Sequence, residues 1–267
     1  MKKIVYMYCN LDVFNKIMSE QKFKLSDISN SNDFNELKKF YLIAKDTLGS
    51  LHNALKESTN SDNYDYLNEV INELENTIKK FAVLAVCFSE CKDSKVMWLE
   101  YGDHGEGVAI GFDVDDLENL AKNYEIGFGK VDYHNLKEID VADFIGAACN
   151  LGNDKDEYIK KSILTKDLAF MDEKEWRLYY KIDDKKQFLS DLSNLYKINC
   201  TIDNLAPPIF IDFDKSFIKE IIVGGSIVKE KDKDKARLEE IKKQIQELNP
   251  SIEVFESKIS CQKSQNR

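Results

Sequence analysis

The chain alternates between two hydrophobic patterns, one typical of strands and one typical of helices. Short runs rich in β-branched and aromatic residues predict strands, and apolar residues that recur every three or four positions predict amphipathic helices. Strands are predicted at residues 4–8, 23–25, 81–88, 108–112, 126–133, 171–181, 209–213, 218–223 and 252–255. Helices are predicted at residues 11–18, 34–48 (ending at Gly49), 67–81, 94–101, 113–122, 185–195 and 232–248, with two more between residues 141 and 170.

The order of these elements predicts an α+β fold with a mixed or antiparallel central sheet flanked by helices. Residues 83–112 have hairpin-like spacing and the chain has no glycine-rich phosphate loop, which argues against a doubly wound parallel sheet. Residues 34–80 are predicted to form a helical insertion between the second and third strands, and residues 229–267 a C-terminal helix and strand. At 267 residues, the whole of 1–267 suits a single domain with a sizeable core.

The strand predicted at residues 171–181 carries the candidate chemistry. Side chains alternate between the two faces of a strand, so one face has Trp176, Leu178 and Tyr180 and the other has Glu173, Glu175, Arg177 and Tyr179. Two carboxylates at i and i+2 stand about 7 Å apart, which suits a site where one holds a ribose hydroxyl and the other orients a nucleophile. Arg177 is expected to keep Glu175 ionised at neutral pH. The alternative is a solvated strand face whose exposed Glu and Arg side chains contribute little energy.

Composition and charge exclude several classes of function. The chain has 38 basic and 48 acidic residues and a net charge of −10, so general attraction to a nucleic-acid backbone is unfavourable. Six cysteines without paired spacing, and without histidines at ligand spacing after Cys87 and Cys91, argue against a zinc site and for a reducing cytoplasm. No stretch approaches membrane-spanning length and the first apolar run is too short for a signal peptide, so a cytoplasmic protein without metal or membrane association is predicted.

Several short motifs occur in the order seen in a large bacterial family, catalogued as domain of unknown function 2971. They are Cys87-Phe88-Ser89-Glu90, Val96-Met97-Trp98, Tyr101, residues 107–113 and residues 173–178, with residues 31–36 upstream and residues 218–225 downstream. The chain resembles this family over nearly its whole length. The family has no assigned reaction. The resemblance therefore implies the extent of the folded region but does not by itself imply a chemistry.

The layout also resembles the ADP-ribosyltransferase fold, in which a middle strand ends in a small hydroxyl residue and a late strand carries Glu-x-Glu. That resemblance implies NAD as the nucleotide-type small molecule. It makes Glu175 the catalytic carboxylate that stabilises charge as nicotinamide leaves, and Glu173 the residue that orients the acceptor. Cofactor-binding roles are implied for Tyr8 and Asn10 on the first strand, Asn32 and Asp33 in a loop, Ser89 at the strand end, Trp98 or Tyr101 as the stacking aromatic, and Arg177.

The implied activity is that of an NAD-dependent ADP-ribosyltransferase or NAD glycohydrolase, acting on a macromolecular acceptor or on water, with phage defence or toxin action as the setting. Other chemistries fit less well, because His52, His104 and His134 do not sit beside a cysteine in a recognisable setting. Neighbouring carboxylates on one strand face rarely flank a glycosidic bond, and the acidic balance does not favour a Mg²⁺ nuclease. A second hypothesis is a non-catalytic binding or sensor module of a defence system with a protein partner, in which Glu173, Glu175 and Arg177 form a structural network.

Overall fold

The computed structural model describes residues 3–30, 39–56, 68–72, 76, 80, 82–135, 155–196, 206–225 and 231–261. Its strands are β1 (Ile4–Cys9), β2 (Lys22–Asp27), β3 (Ala82–Ser89), β4 (Val108–Asp113), β5 (Gly127–Lys130), β6 (Asp132–His134), β7 (Thr165–Asp167), β8 (Glu175–Ile182), β9 (Ile209–Asp212), β10 (Ile218–Gly225) and β11 (Glu253–Ser260). Its helices are α1 (Leu11–Glu20), α2 (Lys39–Lys56), α3 (Lys95–Glu100), α4 (Val114–Asn123), α5 (Lys155–Ile163), α6 (Lys185–Tyr196) and α7 (Lys231–Leu248). Short 3₁₀ segments span Ile28–Asn30, Asp103–Gly105, Leu168–Glu173 and Lys215–Phe217.

The main sheet has the strand order β11-β10-β4-β1-β3-β2-β9, and β8 joins it along β3 while pairing on its other side with β5. All of these pairs are antiparallel except the parallel pair β10 and β11. The predicted α+β fold with a mixed, mostly antiparallel sheet is therefore confirmed. A separate small sheet pairs β6 and β7 in parallel.

Strand β3 is the branch point of the sheet. One of its edges pairs with β8 over the full length from Ala82 to Ser89. The opposite edge is shared, because β2 pairs at Ala85 and Leu84 whereas β1 pairs at Ser89. β1 and β2 therefore occupy successive parts of one edge of β3.

Alternation along the strands divides the apolar side chains between two faces of the sheet. On one face the large core contains an aromatic cluster of Phe23, Phe88, Phe112 and Phe213, with ring centroids from 4.4 to 5.7 Å apart. The other face carries two smaller clusters, one around Trp98 and one around Ile163 and Tyr179. Strand β3 reads as a continuous apolar run because its side chains pack into clusters on both faces.

The helix starts follow the capping rules. Asn10 caps α1, because its Oδ1 accepts a hydrogen bond from the backbone N–H of Val13 at 2.9 Å. Asp113 does the same for α4, since its Oδ1 accepts from the N–H of Asp115 at 3.0 Å. Asn10 follows the last residue of β1 and Asp113 is the last residue of β4, so each cap fixes the direction in which the chain leaves the sheet.

Three predicted elements other than the strand at residues 171–181 differ from the structure. The strand predicted at residues 126–133 is divided, because the chain changes partners after β5: Val131 N–H donates to the carbonyl of Glu175, and Asp132 N–H donates to that of Leu164. The region predicted as two helices up to residue 170 contains α5, but then forms β7 and a 3₁₀ segment. Helix α2 continues past Gly49 to Lys56, since a glycine weakens a helix interior by only about 1 kcal/mol relative to alanine.

The predicted helical insertion between the second and third strands is confirmed, because α2 and the helical residues 68–72 lie between β2 and β3. The described part of residues 229–267 contains α7 and β11. Assignment of residues 1–267 to one domain stays a prediction. Among the helices of the described residues, none has both the length and the apolar character needed to cross a membrane.

Candidate functional site

The polar site lies on the second face of the sheet, near the end of β3 where Ser89 pairs with Tyr6 of β1 and Glu175 of β8. Alternation places Tyr6 and Tyr8 of β1 on this face together with Glu175 and Arg177 of β8. They surround a cavity of about 190 Å³. Its lining residues come from strands, α3 and the segments between them, and are Tyr6, Tyr8, Ile28, Cys87, Phe88, Met97, Tyr101, Lys166, Glu173, Glu175 and Arg177.

Glu175, the first residue of β8, is fixed at both its backbone and its side chain. Its backbone N–H donates to the hydroxyl of Tyr133 at 2.8 Å. Its carboxylate accepts two parallel hydrogen bonds from Arg177, with Nε at 2.7 Å from Oε1 and Nη2 at 3.0 Å from Oε2. Lys166 Nζ lies 3.2 Å from Oε2, and the thiol of Cys87 also donates to this carboxylate. The two-pronged contact with Arg177 fixes the plane of the carboxylate as well as its position.

These contacts keep Glu175 ionised. Burial alone would raise the pKa of Glu175, but the charges and hydrogen bonds of Arg177, followed by the charge of Lys166, lower the pKa from 4.5 to about 2. The predicted effect of Arg177 on Glu175 is therefore supported in direction, and a second cation adds to it. At neutral pH this group is an anion inside the protein.

Glu173 reaches the cavity by a different route from the one predicted. It is the last residue of the 3₁₀ segment Leu168–Glu173 rather than a member of the strand, and Lys174 connects it to β8 in a left-handed conformation with φ of 45°. The prediction that one strand covers residues 171–181 is wrong for this reason. Ser89 fixes the turn, since its hydroxyl donates to the backbone carbonyl of Glu173 at 2.5 Å.

The Glu173 carboxylate is nonetheless close to that of Glu175. Oε1 of Glu173 accepts from the hydroxyl of Tyr101 at 3.0 Å, and Oε2 lies 2.7 Å from Lys166 Nζ. Because the same Nζ is 3.2 Å from Glu175 Oε2, the two Oε2 atoms are separated by less than the sum of these two distances. They are therefore closer than the about 7 Å spacing of alternate residues on a strand.

Lys166 is the charged residue of the cavity lining that the sequence patterns missed. It lies in the middle of β7, paired with Tyr133 of β6, and its ammonium group also lies 4.8 Å from the centre of the Phe170 ring. A lysine between Thr165 and Asp167 carries no local signal, because three-residue strands are too short to show a period. The pairing of β7 with β6 is what brings this lysine to the two glutamates.

The four charged side chains are buried together. The exposed fractions are 7% for Glu173, 4% for Glu175, 1% for Arg177 and 6% for Lys166. Two anions and two cations balance one another, and the remaining Nη1 of Arg177 donates to the carbonyl of Ile163 at 2.6 Å. The alternative of an exposed, solvated Glu and Arg ladder is therefore wrong, because these groups are removed from water and each is hydrogen-bonded.

Tyrosine rings form the facing wall of the cavity. The Tyr8 hydroxyl donates to the carbonyl of Cys91 at 2.7 Å, and the Tyr6 hydroxyl donates to Glu220. Burial, the largest cause, raises the pKa of Tyr8 and of Tyr101, so both remain protonated donors at neutral pH. With their hydroxyls engaged at the edge, the rings line the cavity mainly with aromatic surface.

The other predicted site residues lie apart from this cavity. Ser89 is buried beneath it and holds Glu173 in place. Trp98 is fully buried, packs edge-on against Tyr8 with ring centroids 4.8 Å apart, and donates from Nε1 to Asp93 at 2.6 Å. Asn10 caps α1 and lines a neighbouring open cleft of about 450 Å³, which shares Tyr101 with the cavity. Asn32 and Asp33 lie outside the described residues.

Residues 97–178 match a family model described as Protein of unknown function (DUF2971). The family resemblance is confirmed over these residues. The matched DUF2971 segment contains Tyr101 and all four charged residues of the cavity, whereas the β1 tyrosines and the β3 residues lie before it. No curated protein and no solved structure matches the chain. In the part of the chain that the structure describes, no group of three or more His, Cys, Asp and Glu side chains could hold a metal ion.

Proposed function

We propose that this cavity binds the nicotinamide riboside end of NAD and that the protein cleaves the bond between nicotinamide and ribose, as an ADP-ribosyltransferase or NAD glycohydrolase. The main support is the Glu175 carboxylate, an ionised group held rigidly in the wall of a cavity lined by aromatic rings. Cleavage releases nicotinamide with the bonding electron pair and leaves positive charge on the ribose. A fixed anion beside that carbon stabilises the transition state without having to reorganise.

The arrangement of the strands also supports this proposal. Tyr8 of β1, Ser89 at the end of β3 and Glu175 at the start of β8 lie on three neighbouring strands, with Ser89 paired to Glu175 and to Tyr6. Glu173 stands next to Glu175 and is positioned to orient the incoming nucleophile and take its proton. The acceptor is a macromolecular hydroxyl or amine in a transferase and water in a glycohydrolase.

The size of the cavity limits which part of the ligand enters it. A volume of about 190 Å³ is below the roughly 300–1,000 Å³ of typical small-molecule sites. One ring system with its sugar fits the proposal better than a whole dinucleotide. The remaining nucleotide would lie towards the open cleft at Asn10 and Asp103, which Tyr101 separates from the cavity.

A second candidate function is a non-catalytic binding or sensor module. It is favoured by one specific observation: each carboxylate oxygen of Glu173 and Glu175 already accepts a hydrogen bond from Lys166, Arg177 or Tyr101. A ribose hydroxyl would have to share these oxygens, whereas a purely structural network would have no such requirement. Phage defence or toxin action as the setting, and a cytoplasmic location, remain predictions from the family resemblance and the composition.

Calorimetry against NAD, with nicotinamide release followed in the same samples, separates the two candidates. The variants are Glu175→Gln and, as a matched control, Glu90→Gln, which changes a carboxylate beside the same strand end but outside the cavity lining. The enzyme proposal expects release by the wild type and the control and its loss in Glu175→Gln, with unchanged circular dichroism. If the wild type neither binds NAD nor releases nicotinamide, the proposal that NAD is the substrate is refuted. If Glu175→Gln lowers only thermal stability, the structural network is favoured.

A further inference from the structure

We propose that Lys166 is a positioning residue that holds Glu173 and Glu175 together as two ionised carboxylates in one cavity wall. This inference deepens the proposed function, because it assigns the cation that lets a catalytic carboxylate and an acceptor-orienting carboxylate coexist. Its basis is geometric. Lys166 Nζ lies 2.7 Å from Glu173 Oε2 and 3.2 Å from Glu175 Oε2, so the ammonium group sits between the two like charges.

Two buried carboxylates this close cannot both stay charged without a cation between them, since like-charge repulsion and burial each favour protonation of one. Arg177 contacts Glu175 through Nε and Nη2 and donates from Nη1 to the carbonyl of Ile163. Within the described residues, the cation paired with Glu173 is Lys166. Lys166 therefore balances the charge of Glu173, as Arg177 balances the charge of Glu175.

The fold holds Lys166 in place independently of the two glutamates. Its backbone belongs to β7, paired with β6 at Tyr133, and the hydroxyl of Tyr133 in turn accepts from Glu175 N–H at 2.8 Å. The Phe170 ring lies 4.8 Å from Nζ on the same ammonium group. The small sheet of β6 and β7 thus positions both Lys166 and the start of β8.

Protonation of either glutamate would change the chemistry of the site. In the proposed reaction Glu173 accepts the proton of the attacking O–H or N–H as the new bond to ribose forms, and a protonated carboxyl has no capacity to do so. Glu175 stabilises positive charge only as an anion. The charged and titratable groups facing Lys166 in this network are Glu173, Glu175, Arg177, Tyr101, Tyr133 and Cys87.

The first test needs no NAD. Protein labelled with ¹³C at the glutamate carboxyl carbon is titrated by NMR, with the two signals assigned through Glu173→Gln and Glu175→Gln. In Lys166→Met the higher titration midpoint of the carboxylate pair is expected to rise by about one pH unit or more. Lys166→Arg should keep the wild-type midpoints because it retains the positive charge, and Lys160→Met, an exposed lysine on α5, should leave them unchanged. Unchanged midpoints in folded Lys166→Met would overturn the proposal.

The second test follows nicotinamide release against pH. Lys166→Met should lower kcat by about tenfold or more and move the acidic limb of the kcat profile to higher pH, with a smaller change in KM and with recovery in Lys166→Arg. If the wild type releases no nicotinamide, the proposed NAD chemistry fails, while the carboxyl titration still decides the role of Lys166. A parallel loss of kcat at every pH, with no shift of the limb, would contradict the positioning role.

A folding failure of Lys166→Met is also informative. The double variant Lys166→Met with Glu173→Gln removes one cation and one anion together, so charge balance predicts that it folds where the single variant does not. Recovery of the circular dichroism spectrum would support the proposal. If the double variant stays unfolded, packing of the lysine stem and not its charge is what matters, and the proposal is refuted.

Discussion

The ionised Glu175 carboxylate should make the protein sensitive to acid in a defined pH window. Its pKa is 4.5 as a free side chain and about 2 in the folded protein. Because one pKa unit corresponds to about 1.4 kcal/mol, the folded state gains about 3 kcal/mol from this group at neutral pH. The folded pKa is the lower one, so this contribution is complete above pH 4.5 and is lost as the pH falls towards 2.

Urea unfolding of the wild type and of Glu175→Gln between pH 7 and pH 3 measures this effect. At pH 7 the variant should be less stable by about 3–5 kcal/mol, because Arg177 is left buried without its anion. Below pH 4.5 the gap should narrow, since the wild type then loses the Glu175 contribution while the variant has none to lose. Parallel loss of stability in both proteins over this pH range would show that Glu175 is not the titrating group.

Salt provides a control on the same reasoning. The pKa of Glu90 is also lowered, to about 2. Burial raises this pKa, but hydrogen bonds from Lys3, Trp176 and Lys130 lower it by more. The two lysines of this surface cluster are 49% and 48% exposed, so 1 M salt, with a Debye length of about 3 Å, should weaken it. The acid sensitivity assigned to buried Glu175 should persist in 1 M salt. If 1 M salt abolishes the Glu90 and the Glu175 contributions equally, solvent and ions reach Glu175, and its burial does not explain its acid sensitivity.

Three further substitutions test the fold that supports the site. Asn10→Ala should cost about 1 kcal/mol in urea unfolding because the Oδ1 contact with Val13 N–H is lost; an unchanged midpoint would contradict this capping role. Phe23→Ala should cost about 3–5 kcal/mol by the same assay, since this 1% exposed ring is central to the aromatic cluster, and a cost below 1 kcal/mol would show that the cluster is loosely packed. Gly107→Ala should lower the thermal unfolding temperature, because the added Cβ would lie 2.2 Å from the carbonyl oxygen of Cys9; an alanine variant with wild-type stability would show that β1 and the loop before β4 can separate.

Much of the fold could be predicted from local pattern. The β1 strand, the Asn10 cap and the apolar β3 strand each show their structure within a few residues, because alternation, capping and strand propensity are local properties. Trp176, Leu178 and Tyr180 were correctly separated from Glu175 and Arg177 by the same alternation. The exact start of β8 was less predictable, since the left-handed turn at Lys174 has no glycine or asparagine to mark it.

The burial of the charged residues could not be predicted from the sequence. Glu173 and Arg177 belong to residue types that are mostly exposed, and they are buried here because partners arrive from distant elements. Lys166 comes through the pairing of β6 with β7, and Tyr101 comes from the end of α3. Such partners depend on pairing between segments far apart in the chain, and the pattern within one segment does not identify the strand that pairs with it.

The pairing of β3 with β8 has a consequence for synthesis of the chain on the ribosome. It joins residues 82–89 to residues 175–182, and at about 5–20 residues per second the second partner emerges roughly 5–20 s after the first. During that interval one edge of an apolar strand has no partner, which is the condition under which nascent sheets associate wrongly. Glu175 and Arg177 enter the interior with the strand that closes this edge. The cavity is therefore absent from every shorter nascent chain, and ligand binding reports that β8 has paired with β3.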